Sequence, residues 1–360
     1  MGPVILAWYA CDLRTGKIAE ELRSLRPSQA ITRRIAASTA ASFDLALAGA
    51  PADWESATED GRTLLLAVDE ATGQPVWSGI TLPREGGSSG TVRLSAATPE
   101  SYLDRRFPGD YTATGVDQST VMAALAAPAL TYGPPLVLDT AASGTVMDYS
   151  VLDDEDRSIL SCLQEITNMS GAPEWTVDTL WADAAQSQVQ LVLRIRPAIG
   201  VQPASPEAVF DMPGCLADYV LRESYEKGRG ATSVIARGDR VDGRRATSTV
   251  HRADDLLAAG WCLWEHRWTP ATGVTDVSQL ERHATEALAL MRTGSKAWTL
   301  EATASAAPRL GADWGLGDTI RLQVTSSPRH PAGVEVVARA YAWSLDVGAD
   351  RVFPILLEDE

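Results

Sequence analysis

Only four of the 360 residues are histidine, the usual acid–base side chain of catalysis: His251, His266, His283 and His330. A nucleophilic hydrolase needs a nucleophile, a base and a group that orients the base. The chain has no G-x-S-x-G elbow, and no histidine stands in an H-x-x-x-H pair. Surface or structural roles are expected for all four, with His283 on a helical segment beside its apolar stripe. Cys11, Cys162, Cys215 and Cys262 are far apart and form no C-x-x-C pair. They read as buried free thiols, because a zinc site needs clustered ligands. Two acidic runs, "LDDEDRS" from residue 152 and "RADDLLA" from residue 252, could supply the carboxylate pair of a glycosidase. The plainer reading places the first at a helix N-terminus and the second in a loop or helix start. "REGGSSG" and "GLGD" carry glycines but fit no phosphate-binding pattern. They read as a flexible loop and as the turn entering a strand.

The chain has eleven tryptophans, and "GWCLWEHRWTP" brings Trp261, Trp264 and Trp268 together. Exposed rings in a groove would make a sugar-binding platform. The alternative is that they fill a core or a subunit interface. On a strand Trp264 and Trp268 share a side and Trp261 does not. No residue is assigned a catalytic, cofactor-binding or metal-binding role.

The net charge of −16 argues against a protein that grips nucleic acid, which requires clustered Lys and Arg. It is compatible with one that lets nucleic acid pass, since acidic walls repel phosphate. A hydrophobic content of 45% points to a globular protein, and no apolar run reaches the ~20 residues of a membrane helix. The N-terminal apolar stretch is too short for a signal peptide and has no basic leader. Leu6 departs from the myristoylation pattern.

The first hundred residues read as strands: "VILAWYACDL", "IAEELR", "AITRRIA", "SFDLALA", a hairpin, and "GTVRLSAAT". A helix over "TRRIAASTAASFDLAL" is the alternative for the third and fourth. In the hairpin "GRTLLLAVDEATGQPVWSGI", Leu65 and Ala67 alternate with Leu64, Leu66 and Val68, so both faces of its first strand are expected to be covered. Trp77 is expected in the core. Residues 101–150 read as an irregular connection with one short helix limited by Pro128. Residues 151–205 read as a helix–hairpin unit, with a helix over 154–169 capped by Asp153 or Asp154. Residues 206–360 read as a second β-rich barrel-like domain with one helix over 277–293, capped by Asp276 and stopped by Gly294. The fold class is α+β, mainly β.

The order of landmarks carries a resemblance. "DLRTGKIAEEL" and the Trp77 hairpin are followed by "LQEITNMSGAPEWTVD", "RIRPAIG" and "VFDMPGCLADYVLRESYEKGRGATSVIARGD". "LGADWGLGDTIRLQV", "SPRHPAG" and "ARAYAWSLDV" close the series. Nearly the whole chain resembles the minor tail proteins of long-tailed actinobacterial phages, the tail hub or Gp37-like group related to the phage baseplate hub. The resemblance implies two β-barrel-like domains with inserted or appended small α+β domains. It also implies a homotrimer whose pseudo-sixfold ring meets a hexameric tube. The implied place is the virion tail tip, after synthesis in the host bacterial cytoplasm. Implied partners are the distal tail protein, tail tube proteins, tape measure protein and tail-tip or receptor-binding proteins. DNA would be in contact only in transit, and stable membrane insertion is not implied. The sequence ends just after its last strand, so an added peptidoglycan hydrolase module is not expected and the reading is non-enzymatic, with no cofactor. The other readings are a carbohydrate-binding or carbohydrate-cleaving tail-tip protein, and the hub of a phage-derived contractile injection particle.

Overall fold

The computed structural model describes residues 4–169, 171–269 and 274–357. Gly2 and the end of the expected last strand, Glu358 and Asp359, lie outside them. The first sheet uses β1 (Leu6–Asp12), β2 (Ile18–Glu21), β3 (Leu25–Pro27), β5 (Ala40–Ala46), β6 (Thr63–Asp69), β7 (Gln74–Glu85) and β8 (Thr91–Ala97), while β4 (Ile31–Arg34) leaves it. A short helix, α1 (Trp54–Ala57), precedes β6. The strand order is β2-β1-β6-β7-β8-β5-β3. Strands β2 and β3 thus sit at opposite ends of the order, yet only residues 22–24 separate them. A flat sheet would hold its outer strands about 29 Å apart, and that link reaches about 14 Å. The sheet must curl until its edges meet, which makes it barrel-like.

Its interior is aromatic. Trp77 is fully buried against Phe43 at 5.5 Å and Trp8 at 6.2 Å between ring centroids. Its indole N–H donates to the Thr32 carbonyl at 3.2 Å. Gly79 is required beside it: a Cβ there would stand 2.4 Å from the Trp77 ring. Every residue of β6 is buried, as its double alternation predicts. Leu65 and Ala67 face the barrel interior, and Leu64, Leu66 and Val68 face a second core.

That second core is built by residues 99–196. They supply β9 (Tyr111–Asp117), α2 (Gln118–Ala126), β10 (Leu136–Thr140), β11 (Val146–Val151), α3 (Ile159–Thr167), β12 (Glu174–Trp181) and β13 (Val189–Arg196). Strand β13 pairs with β12 antiparallel and with β10 parallel, and β9 pairs with β11. Residues 101–150 are therefore not an irregular connection. Their strands are short and carry Gly115 and polar residues, which hides the alternation. Pro128 does end α2, in a 3-10 turn over Ala127–Leu130. Helix α3 starts later than its acidic run suggests. Asp156 adopts a left-handed conformation at φ 50°, and Ser158 is the N-cap, its hydroxyl accepting from Ser161 N at 3.2 Å.

The second barrel-like sheet repeats the closure of the first. Its order is β14 (Val209–Met212), β21 (Thr319–Val324), β22 (Val334–Asp346), β23 (Arg351–Leu357), β20 (Ser295–Thr303) and β15 (Leu216–Ser224). Again the outermost strands, β14 and β15, are separated by three residues, 213–215. Strand β4, from the first sheet's own chain segment, pairs with β22 over Ala342–Leu345. The interiors of both sheets merge into one hydrophobic cluster that runs from Trp8, Phe43 and Trp77 to Phe210, Trp298 and Trp343.

Between β15 and β20 lies an inserted unit: β16 (Ser233–Val241), β17 (Arg244–Thr247), β18 (His251–Arg252), α4 (Asp254–Ala258), β19 (Glu265–Trp268) and α5 (Val277–Met291). Asp276 caps α5 as predicted, accepting from Ser278 N at 2.9 Å. The unit has its own small core around Val234, Ala236, Leu280 and Ala284. Strands predominate over helices in the chain as a whole, so the α+β, mainly β class holds.

Trp77→Ala is expected to lower stability by about 3–5 kcal/mol. Gly79→Ala is expected to cost about 1–3 kcal/mol by overpacking. The ring and the added methyl compete for one space, so in urea unfolding the double variant should cost less than the two single effects together.

Candidate functional site

The strands β12 and β13 alternate sharply. Trp175, Val177, Leu191, Leu193 and Ile195 enter the second core. The residues between them, Glu174, Thr176, Asp178, Arg194 and Arg196, share the opposite face by register. This face is a ladder of charge. Arg194 donates to Asp178 and to Asp139 of β10, each at 2.6 Å, and Arg196 donates to Asp139 at 2.6 Å.

The ladder is where the sheets meet. From β4, Arg33 donates to Asp178 at 3.1 Å and lies 3.9 Å from the buried Glu100. From β22, Arg339 clasps Glu174 with two hydrogen bonds of 2.7 and 2.5 Å. From the loop before β21, Arg309 pairs with the buried Asp69 of β6 at 3.2 Å. Such two-pronged arginine–carboxylate pairs fix orientation as well as distance. Burial disfavours the ionised Asp178 carboxylate, but the adjacent Arg33 charge and the Arg194 hydrogen bond outweigh it, and its pKa falls below the ordinary value.

Two backbone crossings complete the seam. A Cβ on Gly200 would lie 2.3 Å from the Gly317 carbonyl carbon, and one on Gly317 would lie 2.2 Å from the Ile199 oxygen. Both glycines have positive φ, 81° and 84°. Asp318 accepts from Val201 N and Gly315 N, each at 2.7 Å. The "GLGD" turn therefore enters β21 as predicted and also pins the chain leaving β13. At the seam lies an open cleft of about 410 Å³, lined by Arg33, Asp178, Arg194, Arg196, Leu310 and Trp343 among others. Each arginine lining it is already paired with a carboxylate. The arrangement holds three sheets in a fixed relation, and its lining among the described residues includes no histidine, cysteine or serine.

The residues singled out for chemistry are scattered. His251 pairs with Glu281 at 2.6 Å, and His330 with Tyr219 at 2.6 Å. His283 is buried on α5 against Trp268, 4.5 Å between ring centroids. All four cysteines are free thiols. Cys11 and Cys162 are buried as expected, and burial pushes the Cys11 thiol up to about 12. Two are corrections: Cys215 is half-buried, because it lies in the short link between β14 and β15, and Cys262 is exposed on the irregular path of residues 261–264. The same path takes Trp261 and Trp264 out of the core, at 44% and 53% exposed, which leaves the subunit interface or the sugar platform among the expected places. Asp153, Asp154 and Glu155 sit in an exposed 3-10 turn, and Asp254 and Asp255 open α4. Among the described residues no group of three or more His, Cys, Asp or Glu is placed to hold a metal ion, and no helix is long and apolar enough to cross a membrane. The ladder itself was legible as the alternation in "EWTVD" and "VLRIR", which sequence reasoning used only to define strands.

No protein-family model matches the chain, and no curated protein does. Solved structures do. The tail protein from Neisseria meningitidis MC58 aligns with a TM-score of 0.63 at 16% identity, over 99% of this chain and 97% of its own. The 43 kDa tail protein of prophage MuSo2 from Shewanella oneidensis gives 0.58 at 12% identity, over 98% of each. A chain of the Francisella PdpA–VgrG complex gives 0.56 at 9% identity, over 98% of this chain and 57% of its own. The chain thus has the fold of phage tail proteins, shared with a component of the PdpA–VgrG complex.

Burial, with a smaller effect of Arg282, lowers the pKa of His283 to about 4. The unfolded chain takes up a proton near pH 6.5, so the fold loses stability as pH falls from about 6.5 to about 4 and gains no further loss from this group below that. His283→Phe keeps the contact with Trp268. It is expected to flatten the decline in thermal unfolding temperature between pH 7 and pH 4.5, where Asp178 is still ionised.

Proposed function

We propose that the chain is a structural virion protein, the hub at the distal end of a phage tail. Three copies form a ring that joins the tail tube to the tip and gates the DNA channel. The supporting observation is the doubled closure: two barrel-like sheets, each sealed by a three-residue link, share one core and one charged seam. A rigid subunit carrying two such modules suits a trimer that presents six of them to a hexameric tube. The sequence landmarks favour the Gp37-like group of actinobacterial tails. In this reading the partners are the distal tail, tail tube, tape measure and receptor-binding proteins. The protein works by assembly rather than turnover, and the charge of −16 keeps passing DNA from adhering to its walls.

The shared fold with a chain of the PdpA–VgrG complex supports a second reading, the hub of a phage-derived contractile injection particle. The exposure of Trp261 and Trp264 favours a third, a carbohydrate-binding tail-tip protein. Gold-labelled antibody against this chain is expected to mark the end of purified tails farthest from the head. Label along the tube, or none on particles, would contradict the hub. Host cell-wall sugars are expected to leave tryptophan fluorescence unchanged, whereas quenching would move the assignment to the sugar site.

A further inference from the structure

The charge of the chain is unevenly spread. Residues 225–294, the whole insertion between β15 and β20, hold ten Lys and Arg against nine Asp and Glu, a net +1. The remainder holds 21 against 38, a net −17. The inserted sheet explains where the positive charge goes. Val234, Ala236, His251 and Trp268 face α5, with His251 bonded to Glu281 and Trp268 stacked on His283. By register, Ile235, Arg237, Arg252 and Arg267 occupy the opposite face, together with the exposed carboxylate of Glu265. Arg252 and Arg267 are exposed, and Arg237 is half-buried. Among the described residues none of the three pairs with a carboxylate, whereas the arginines of the seam all do. The chain entering β19 adds Trp261, Leu263 and Trp264, each 44–53% exposed, with Tyr225 packed 5.2 Å from Trp261. Tryptophan and arginine are the residues that dominate binding energy at protein interfaces.

We infer that this open sheet face and its tryptophan edge dock on a second copy of the chain, at the acidic turn Asp153–Asp156. The inference rests on the ring-subunit reading and names its contact. The turn exposes four consecutive carboxylates. Leu152 beside it is 49% exposed. Asp153 N donates to Asp110, which holds the turn on the loop of Phe107, itself 50% exposed. Basic charge beside apolar rings meets acidic charge beside apolar side chains. The two patches are different surfaces, so the contact is head-to-tail and closes into a ring when the rotation permits.

Sedimentation velocity of the full chain over a concentration series tests this. Self-association of the wild type is expected, and to weaken at about 1 M salt, where the Debye length is roughly 3 Å. Arg237→Glu, Arg252→Glu and Arg267→Glu combined are expected to lower the association constant on the order of tenfold or more. The three Arg→Gln changes, which cannot repel, should fall between. Adding Asp153→Lys, Asp154→Lys and Glu155→Lys to the Glu variant should restore association in the same chain. Circular dichroism checks that each variant is folded. Association equal in wild type and Glu variant overturns the inference while leaving a tail-tip hub standing. A wild type that never self-associates also overturns it, and antibody labelling of tails then judges the hub separately. Duplex DNA retained by the wild type and lost by the Glu variant, with association unchanged, would overturn it and give the face to nucleic acid.

Discussion

Four residues, Ile31–Arg34, tie the molecule together. They leave the first sheet between two strands that pair with each other, and add themselves to the edge of β22 in the second. Each does something different there. Ile31 is fully buried in the common core. The Thr32 carbonyl accepts the Trp77 indole at 3.2 Å, and its hydroxyl meets Ser344 at 3.0 Å. Arg33 reaches the charge ladder at Asp178. Arg34 stacks over Tyr341 at 5.1 Å. Backbone pairing, apolar burial and a partly buried ion pair thus act on one short strand. Separating the sheets would break all three at once, so they behave as a single body.

That rigidity is what a hub requires. A ring that carries load between a tube and a tip cannot let its modules turn independently. Ordinary interdomain surfaces are modest and polar and permit such motion. Here the interior of one barrel-like sheet continues into the other, and the ladder, with the Arg309–Asp69 pair and the Thr32–Ser344 contact, adds a polar joint. Function in this account lies in shape, charge and repetition rather than in a reacting group.

Much of this was legible in the sequence, and the limits have physical causes. The hairpin around Trp77 declared both its faces through the double alternation of Thr63–Asp69, and the structure covers both. "AITRRIA" read as a strand, but its partner lies some three hundred residues away, and nothing local encodes a pairing at that distance. The acidic run puts the expected start of α3 too early, because Asp153 and Asp154 look like caps. The left-handed Asp156 breaks the run before Ser158 can start it. Trp261 and Trp264 carry the composition of a core and stand on the surface. Apolar character says that a side chain seeks cover, not whether its own chain or another provides it. The ladder of Glu174, Asp178, Arg194 and Arg196 showed only as alternation, and its arginine partners Arg33 and Arg339 come from remote strands.

The stoichiometry and symmetry of the assembled ring test the central claim most directly. They can be read from the mass by light scattering and from averaged images of the isolated assembly or the tail tip. Three copies of the 38.4 kDa chain in a threefold ring with six barrel lobes are expected. Six copies, or a single copy per tail, would contradict the account.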